Sequence, residues 1–494
     1  MNDFKNKKVT IIGLGLHGGG VGVAKFFSRL GAKVLVTDLR NKKELKESLE
    51  KLKGEPIKYV LDQHRPEDFI NTDLVIKNPA VPDNSKYLEI ARQHGVPIET
   101  DVGIFFELCP APIIGVTGSK GKSTVVTLIA KFLAKKYGDV ILAGNIRSSV
   151  LAKLKKINKN SLVVLELSSW QLAGLRSHRR SPHCSVITNI LPDHLNRYKN
   201  IEEYIEDKKE IFRWQKKKPR KNNQDVFRGR DCLILNYDDR VVRNFAEQAK
   251  SQVFYYSQDN GSTSDLGKAR LAAFVKGDKI LFGDSGLKAP NLEASGLQNE
   301  EVCSLEDIAL KGKHNIDNVL AAVSVAKLAQ VSNKSIKKVL VKFKGIEGRL
   351  ELVKMLNRVK YINDTTATIP EATLAALSSF PNKKNIILIA GGADKDLNFD
   401  YLAEILVKKV KVLILLEGTA TPKLKQAVEN RIVLTDSRLE IIDPLNSMRE
   451  AVLKARAKAV ENDIVLLSPA CASFGLFRHE FERGEMFNKA VNEL

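Results

Sequence analysis

A glycine-rich stretch with adjacent lysine and hydroxyl residues is the part of this sequence best suited to chemistry. Residues 115–124 read Gly-Val-Thr-Gly-Ser-Lys-Gly-Lys-Ser-Thr, between a short apolar run and a helical pattern. Glycines let backbone N–H groups close around phosphate oxygens, and a helix N-terminus adds partial positive charge. The Lys122 ammonium can reach the outer phosphates, and the Ser123 or Thr124 hydroxyl can ligate Mg²⁺. Residues 115–124, called the phosphate loop below, therefore predict binding of a nucleoside triphosphate.

The spacing inside the phosphate loop differs from the usual motif. Five residues separate Gly115 from Gly121, one more than usual. The alternative interpretation is a glycine-rich turn that contains a lysine by chance. The flanking strand and helix favour the phosphate-binding interpretation. The residues expected to bind ATP here are Gly118, Ser119, Lys120, Gly121, Lys122, Ser123 and Thr124.

An acidic residue closes a second apolar run. Glu166 follows the strand-like residues 162–165. A carboxylate at the carboxyl end of a buried strand, next to a phosphate loop, is well placed to ligate Mg²⁺. The alternative is a strand-end acid that pairs with a lysine. We predict that Glu166 holds the metal together with the hydroxyl of Ser123 or Thr124.

Another glycine-rich turn lies near the N-terminus. Residues 13–18 read Gly-Leu-Gly-Leu-His-Gly between a strand-like run and a helical pattern, and Asp38 ends the next strand-like run. This is a dinucleotide-binding fingerprint, with the acid expected on a ribose or base edge. The fingerprint alone does not identify the nucleotide. An NAD(P)-dependent oxidoreductase and a packing turn without ligand both stay open.

Three further segments carry candidate groups with weaker signals. Asp193 and His194 follow a strand-like run and could contact metal-bound water or phosphate, although a single loop histidine is more often structural. The segments 391–395 and 468–473 each follow a late strand, at the edge where open parallel sheets bind ligands. Ordinary strand–helix turns explain these two segments about as well. Lys208 has the pattern of a solvated helix lysine.

Short apolar runs alternate with helical patterns along most of the chain. Such runs, bounded by turns, indicate parallel sheets covered by helices on both faces, an α/β fold. Residues 231–301 are richer in short alternating pieces and predict some antiparallel strands. The clearest strand predictions are 9–12, 33–37, 113–116, 162–167, 385–390 and 464–467.

Length and composition limit the possible classes. A chain of 494 residues suggests about three domains. Its five scattered cysteines predict reduced thiols in the cytoplasm, and no apolar stretch is long enough for a membrane span. The formal charge of +21 suggests a nucleic-acid-dependent ATPase as a competing hypothesis. No nucleic-acid module accompanies the charge, so we expect no nucleic-acid partner.

Taken in order, these residues resemble the Mur ligases of peptidoglycan synthesis, over essentially the whole chain. Further motifs that carry the resemblance are 144–146, 165–171, 312–318, 345–351 and 363–365. The resemblance implies a UDP-substrate-binding Rossmann-like domain (1–109), a central P-loop ATP-binding domain (110–345) and a Rossmann-like amino-acid-binding domain (346–494).

The resemblance also implies an activity and its site. The implied enzyme is an ADP-forming ligase that uses ATP and Mg²⁺ to join an amino acid to UDP-N-acetylmuramoyl-L-alanine through an acyl phosphate. D-Glutamate is the first candidate for that amino acid. We expect a cytoplasmic monomer. The implied catalytic residues are Lys122, Glu166, His194, Lys208 and Asn145. The implied metal ligands are Ser123, Glu166 and, if it is carbamylated, Lys208. Further ATP contacts are Asn315, Arg349 and Asp364; UDP contacts are Gly15, Leu16, His17, Asp38 and Arg40; amino-acid contacts are Thr368, Lys395, Ser473 and Phe474.

Four positions depart from the family pattern, and most of them fall in or near the predicted amino-acid pocket. They are Gly348, Thr366, Gly475 and Glu480. A related ligase that adds a different amino acid is therefore the alternative within the family.

Overall fold

The computed structural model describes most of the chain. The described residues are 4–15, 18–79, 81–144, 149–191, 198, 200–217, 230–258, 270–283, 299–310, 312–381, 383–394 and 397–494. They divide into two compact units, Met1–Lys342 and Phe343–Leu494. The domain limits predicted from the sequence stay predictions.

The first unit begins with a parallel sheet of five strands in the order β3-β2-β1-β4-β5. Its strands are β1 (Lys8–Ile12), β2 (Lys33–Asp38), β3 (Ile57–Leu61), β4 (Leu74–Lys77) and β5 (Ile98–Thr100). Its helices are α1 (Gly19–Arg29), α2 (Lys46–Glu50), α3 (Glu67–Ile70), α4 (Lys86–Gln93) and α5 (Asp101–Leu108). This order, with β1 central and crossovers on either side, is the predicted Rossmann-like arrangement.

The same unit continues into a sheet of nine strands in the order β14-β13-β12-β11-β10-β9-β6-β8-β7. Its strands are β6 (Ile113–Thr117), β7 (Val140–Gly144), β8 (Leu162–Glu166), β9 (Cys184–Ile187), β10 (Cys232–Asn236), β11 (Gln252–Ser257), β12 (Arg270–Lys276), β13 (Lys279–Phe282) and β14 (Glu300–Ser304). Its helices are α6 (Lys122–Leu133), α7 (Ser169–Ala173), α8 (Ile201–Arg213), α9 (Arg240–Arg243), α10 (Lys313–Leu328) and α11 (Asn333–Leu340). The antiparallel pairing of β12, β13 and β14 confirms the mixed strands predicted for residues 231–301.

The second unit holds a sheet of six strands in the order β15-β16-β20-β17-β18-β19. Its strands are β15 (Glu351–Leu356), β16 (Val359–Asn363), β17 (Ile386–Ala390), β18 (Val410–Leu416), β19 (Glu440–Leu445) and β20 (Ile464–Leu467). Its helices are α12 (Pro370–Ser378), α13 (Asp400–Lys409), α14 (Thr421–Thr435), α15 (Met448–Lys458) and α16 (Glu480–Asn492). All pairings except β15 with β16 are parallel.

Burial explains why the central strands read as continuous apolar runs. Every residue of β6, β8 and β17 is buried, because helices cover both faces of these parallel sheets. One hydrophobic cluster extends from β1 through β8 to β11, so the two sheets of the first unit share a core. Two further clusters lie on opposite faces of the six-stranded sheet. The predicted three-sheet α/β architecture is confirmed.

Candidate functional site

Two glycines give the phosphate loop its shape. Gly118 has φ +145° and Gly121 has φ +86°, values that L side chains rarely adopt. A Cβ on Gly118 would lie 1.9 Å from Thr188 Oγ1, and a Cβ on Gly121 would lie 2.1 Å from Asn318 Oδ1. The loop therefore needs glycine at both positions, for its backbone conformation and for its close approach to β9 and α10.

The loop is fixed from one side by the end of β9. Ser119 N donates to Asn189 O at 2.9 Å, and Lys120 N donates to Asn189 Oδ1 at 2.8 Å. Thr188 Oγ1 donates to Lys120 O at 2.6 Å. These contacts hold the backbone open before α6 begins at Lys122, so the N–H groups of the first helical turn face the loop.

Lys122 folds back over the phosphate loop. Its Nζ donates to Gly118 O at 2.8 Å and to Ser119 O at 2.9 Å. The ammonium is thus held beside the loop backbone, next to the N-terminus of α6. Both features favour a polyanionic ligand at this point.

Lys208 reaches the same loop from α8. Its side chain is 1% exposed, and Nζ donates to Gly118 O at 3.0 Å and to Thr117 Oγ1 at 3.4 Å. Nζ also lies 4.5 Å from the centroid of the Tyr204 ring. Two lysines that lie far apart in the sequence therefore converge on one carbonyl, that of Gly118.

Tyr204 is a neighbour of the site that sequence reasoning missed. It is buried one turn before Lys208 on α8, and its hydroxyl lies 2.9 Å from Ser119 Oγ. A tyrosine and a lysine four positions apart share a helix face, which was the available signal. Without knowledge of what α8 packs against, that spacing did not point to the phosphate loop.

Glu166 lies at the edge of the sheet where the phosphate loop starts. In the parallel pairing of β6 with β8, Val116 is opposite Glu166. The residue is 2% exposed, and Thr117 Oγ1 donates to Leu167 O at 2.8 Å, which ties the two strand ends together. Gly144 makes room on the other side, since its Cβ would lie 2.2 Å from Glu166 O.

The donor groups at this edge fit Mg²⁺. Glu166 supplies a carboxylate from β8, and Ser123 supplies a hydroxyl from the first turn of α6. Among the residues that the structure describes, no group of three or more His, Cys, Asp or Glu could hold a metal alone. Mg²⁺ commonly takes one or two protein oxygens and completes its shell with substrate phosphates and water, so this small donor set suits it.

Asp38 holds the N-terminal glycine turn. Its Oδ2 accepts hydrogen bonds from Leu14 N at 2.8 Å and Gly15 N at 3.1 Å. Its Oδ1 accepts from Arg40 N at 2.9 Å. The buried carboxylate therefore shapes the turn, and the exposed Arg40 side chain lies next to it at the carboxyl edge of the sheet. The predicted UDP contacts Leu16 and His17 lie outside the described residues, as do the predicted catalytic residues Asn145 and His194.

Asp364 is buried in the second unit, at the end of β16. Its Oδ2 accepts from Ser468 Oγ at 2.8 Å and its Oδ1 accepts from Leu350 N at 3.2 Å. Burial raises its pKa to about 7, against the hydrogen bond from Ser468 and the charge of Arg349, which lower it. The predicted ATP contacts Arg349 and Asp364 thus lie close together. The third, Asn315, lies in the first unit, where its Oδ1 accepts from Asn318 Nδ2 at 3.1 Å.

Three segments of the second unit meet at what we call the three-loop junction, residues 391–394, 416–421 and 468–473. Gly391 N donates to Pro469 O, Ala393 N to Ala472 O and Ala420 N to Gly392 O, each at 2.9 Å. A Cβ on Gly392 would lie 2.1 Å from Ala472 O. The junction therefore brings together the two late loops predicted to bind the amino acid.

Two of the predicted amino-acid contacts, Ser473 and Phe474, lie at the end of this junction and directly after it. Ser473 is buried at its end, and Phe474 follows and is half-buried. Thr368 is half-buried two residues before α12, while Lys395 lies outside the described residues.

Two supports of the junction were not predicted from the sequence. Thr421 Oγ1 donates to Leu416 O at 2.6 Å and accepts from Gly392 N at 3.1 Å. The fully buried Arg483 on α16 donates to Thr365 O at 2.8 Å and to Cys471 O at 3.2 Å. Because the partner of Arg483 at Thr365 is 118 positions away, no local pattern could have indicated the contact.

None of the helices that the structure describes has the length and apolar composition needed to traverse a bilayer.

Comparison with known proteins covers all three sheets. Residues 7–100 match the family described as Mur ligase MurD-like, N-terminal domain. Residues 116–326 match the Mur ligase middle domain, and residues 348–471 match the Mur ligase glutamate ligase domain. The phosphate loop, Glu166 and Lys208 fall largely within the middle match, and the three-loop junction falls almost entirely within the last.

Full-length relatives and solved structures agree with these matches. The chain is 43% identical to UDP-N-acetylmuramoylalanine–D-glutamate ligase of Roseiflexus sp. strain RS-1, over 98% of each chain. It is 36% identical to the enzyme of that name from Acetivibrio thermocellus, over 100% of this chain and 99% of that one. The fold is similar to UDP-N-acetylmuramate-alanine ligase from Thermotoga maritima, with TM-score 0.55, 18% identity and 99% coverage of both chains. It is also similar to a pseudomurein peptide ligase type C from Methanothermus fervidus, with TM-score 0.51, 20% identity and coverage of 99% and 100%. This chain therefore belongs to the Mur ligase family.

Proposed function

We propose that this chain joins D-glutamate to UDP-N-acetylmuramoyl-L-alanine through an amide bond, with conversion of ATP to ADP and phosphate. The observation that carries the proposal is the convergence of Lys122 and Lys208 on the carbonyl of Gly118, beside Glu166. Full-length relatives named for this reaction supply the substrates.

The reaction divides into two transfers. An oxygen of the acceptor carboxylate attacks the γ-phosphorus of ATP, the bond to the β–γ bridging oxygen breaks, and ADP leaves. The amino-acid nitrogen then attacks the acyl carbon, phosphate leaves, and the nitrogen gives up its proton to water or a base. Phosphorylation is needed because a free carboxylate would have to expel oxide.

The residues of the phosphate loop act mainly by positioning and charge. Lys122 and the backbone N–H groups at the start of α6 offset the negative charge that accumulates on the transferring phosphoryl group. Mg²⁺, held by Glu166 and Ser123, would supply further charge neutralisation on the phosphate oxygens.

Lys208 is the proposed site of carbamylation. The neutral amine of a lysine is the form that adds to carbon dioxide, with loss of one proton. The product carries oxygen ligands where the ammonium now lies beside Gly118 and Thr117. A carbamate suits a neighbouring Mg²⁺, which an ammonium would repel.

The remaining assignments follow the three sheets. We propose that residues 1–109 bind the UDP part, with Asp38 and Arg40 at the carboxyl edge of the first sheet. Residues 346–494 bind the amino acid near the three-loop junction. We also propose that the enzyme acts in the cytoplasm, and we expect it to be a monomer.

The test is release of phosphate from ATP by the purified full-length chain with Mg²⁺ and UDP-N-acetylmuramoyl-L-alanine. A panel of D- and L-amino acids is added one at a time, with acceptor-free reactions as controls. We expect release only with the acceptor and an amino acid together, and most with D-glutamate. Preference for another amino acid would identify that amino acid, and not D-glutamate, as the substrate. Phosphate release that needs no amino acid would contradict the ligase assignment.

A further inference from the structure

A buried histidine bridges two carboxylates in the first unit. His178 Nε2 lies 2.7 Å from Glu99 Oε2, and Nδ1 lies 2.9 Å from Glu107 Oε1. The histidine side chain is 5% exposed. Glu99 belongs to β5 and Glu107 to α5, whereas His178 follows α7. We call these three residues the histidine clasp.

The clasp requires a doubly protonated ring. An ionised carboxylate only accepts hydrogen bonds, so both ring nitrogens must carry hydrogen if both contacts are to form. A neutral imidazole would point one lone pair at a carboxylate. The hydrogen bond to Glu99 raises the pKa of His178 most, and Glu107 raises it further, while burial opposes both.

The chain has glycines where the clasp needs space. A Cβ on Gly103 of α5 would lie 2.3 Å from His178 Nε2, so the ring packs directly on the helix backbone. On the opposite side, a Cβ on Gly174 would lie 2.7 Å from Thr100 Oγ1. Arg180 adds a second tie, since Nη1 donates to Phe106 O at 3.1 Å. The fit of two glycines to one contact indicates a built interface between α5 and the segment after α7.

Other charged groups near the clasp are engaged elsewhere. Arg176 pairs with Asp207 and Glu210 of α8 at 2.9 and 3.1 Å. Arg179 lies over the Trp214 ring, 5.7 Å from its centroid. Among the described residues, the titratable groups that face the ring are therefore Glu99 from β5 and Glu107 from α5.

Two residues of the clasp, Glu99 and Glu107, lie on the stretch of chain that leads from the first sheet into the second. Helix α5 lies between the two family matches, 7–100 and 116–326, and leads through β6 into the phosphate loop. The segment that carries His178 follows Glu166 by way of α7. The clasp thus joins the connecting helix to a segment that follows the proposed Mg²⁺ ligand Glu166 by way of α7.

We propose that His178 is a positioning residue whose imidazolium fixes α5, and with it the placement of the first sheet relative to the phosphate loop, and that deprotonation releases this hold. The contact weakens as the pH rises through the titration of His178. The effect on catalysis rests on the proposed function, because it assumes that the first sheet delivers the acceptor carboxylate.

The structural test needs no activity. In the full-length chain, the imidazole resonances of His178, assigned with H178Q, are titrated beside those of a peptide of residues 175–181. We expect His178 to lose its proton at a higher pH than the peptide. Amide hydrogen exchange of residues 101–108, corrected for its intrinsic pH dependence, should rise about threefold or more in H178Q and in wild type above the titration.

Two further variants control this test. H94Q replaces an exposed histidine that follows α4 and should leave exchange in α5 unchanged. E107Q replaces a half-exposed partner and keeps the ring, so it tests the clasp even if H178Q does not fold; it should shift the His178 titration to lower pH. The proposal would be overturned if His178 titrated at the same pH as the peptide. It would also be overturned if amide exchange in α5 changed neither in H178Q nor with pH.

The kinetic arm separates this inference from the ligase assignment. H178Q should raise KM for the UDP-linked acceptor about fivefold or more, remove the pH dependence of that KM, and leave KM for ATP near wild type. An equal rise in KM for the acceptor and for ATP would contradict a positioning role. If the wild-type chain lacks ligase activity but the titration and exchange results hold, the clasp stands and the proposed function fails.

Discussion

The phosphate loop and the three-loop junction both hold backbone in unusual conformations, but they are built differently. The phosphate loop is one contiguous segment, shaped by Gly118 and Gly121 and reached by two lysines. The junction joins three segments through backbone hydrogen bonds between residues up to 79 positions apart, such as Ala393 and Ala472. A contiguous loop concentrates function in a few side chains. An assembled junction spreads it over many contacts, so single changes should have smaller effects there.

The largest expected effect is at the phosphate loop. K122M removes the ammonium that lies over Gly118 and Ser119. Phosphate release should fall about 10²–10³-fold, as expected when one preorganised group that stabilises transferring charge is lost. Initial rates with saturating acceptor and D-glutamate measure this.

A lysine elsewhere on α6 provides the matched control. Lys131 is exposed in the last turn of the same helix, so K131M removes the same charge away from the loop. It should retain a rate near wild type. Equal losses in K122M and K131M would show that net charge, and not the local position of Lys122, governs the rate.

The second expected effect concerns the buried carboxylate beside the junction. Below the usual pKa of 3.8, Asp364 is protonated in both states, and its burial has no pH-dependent cost. Between 3.8 and about 7 the unfolded chain ionises while the folded chain keeps the proton, so the free energy of unfolding falls as the pH rises. Above about 7 the cost is constant.

D364N removes this ionisation. Its amide can still accept from Leu350 N and can donate to Ser468 Oγ, which in turn donates to Thr373 Oγ1. The free energy of unfolding of D364N minus that of wild type should increase by about 2–4 kcal/mol from pH 4 to pH 7, as measured by thermal unfolding at each pH. D443N, at an exposed carboxylate of β19, should show no such gain with rising pH. A constant difference between D364N and wild type over this range would contradict the raised pKa.

The same contrast explains what could be predicted from the sequence. The strands of the parallel sheets were predicted because burial on both faces makes them continuous apolar runs, as in β8 and β17. The phosphate loop was predicted because glycine, lysine and hydroxyl residues stand side by side in one segment. The position of Glu166 beside the phosphate loop was predicted because this residue ends a strand-like run close to that loop.

The remaining contacts depend on which elements become neighbours. Tyr204 meets Ser119 across 85 positions, and Arg483 meets Cys471 and Thr365 only because α16 packs on the sheet edge. The strand order of the nine-stranded sheet is set by crossovers that leave no periodic pattern. Lys208 was found through family resemblance alone, since its own pattern is that of a surface helix lysine.

The smallest expected effect tests the assembled character of the junction. T421V keeps the side-chain shape but leaves Gly392 N and Leu416 O without the hydroxyl they share. Loss of buried hydrogen bonds should lower stability by about 1–3 kcal/mol and raise KM for D-glutamate several-fold, with KM for ATP unchanged. T421S should restore both values, and T435V, at an exposed end of the same helix, should match wild type. The backbone hydrogen bonds from Gly391, Ala393 and Ala420 remain in T421V. The loss of ligase activity should therefore be much smaller than in K122M. A loss of ligase activity as large as that in K122M would mean that the junction, like the phosphate loop, depends on one side chain.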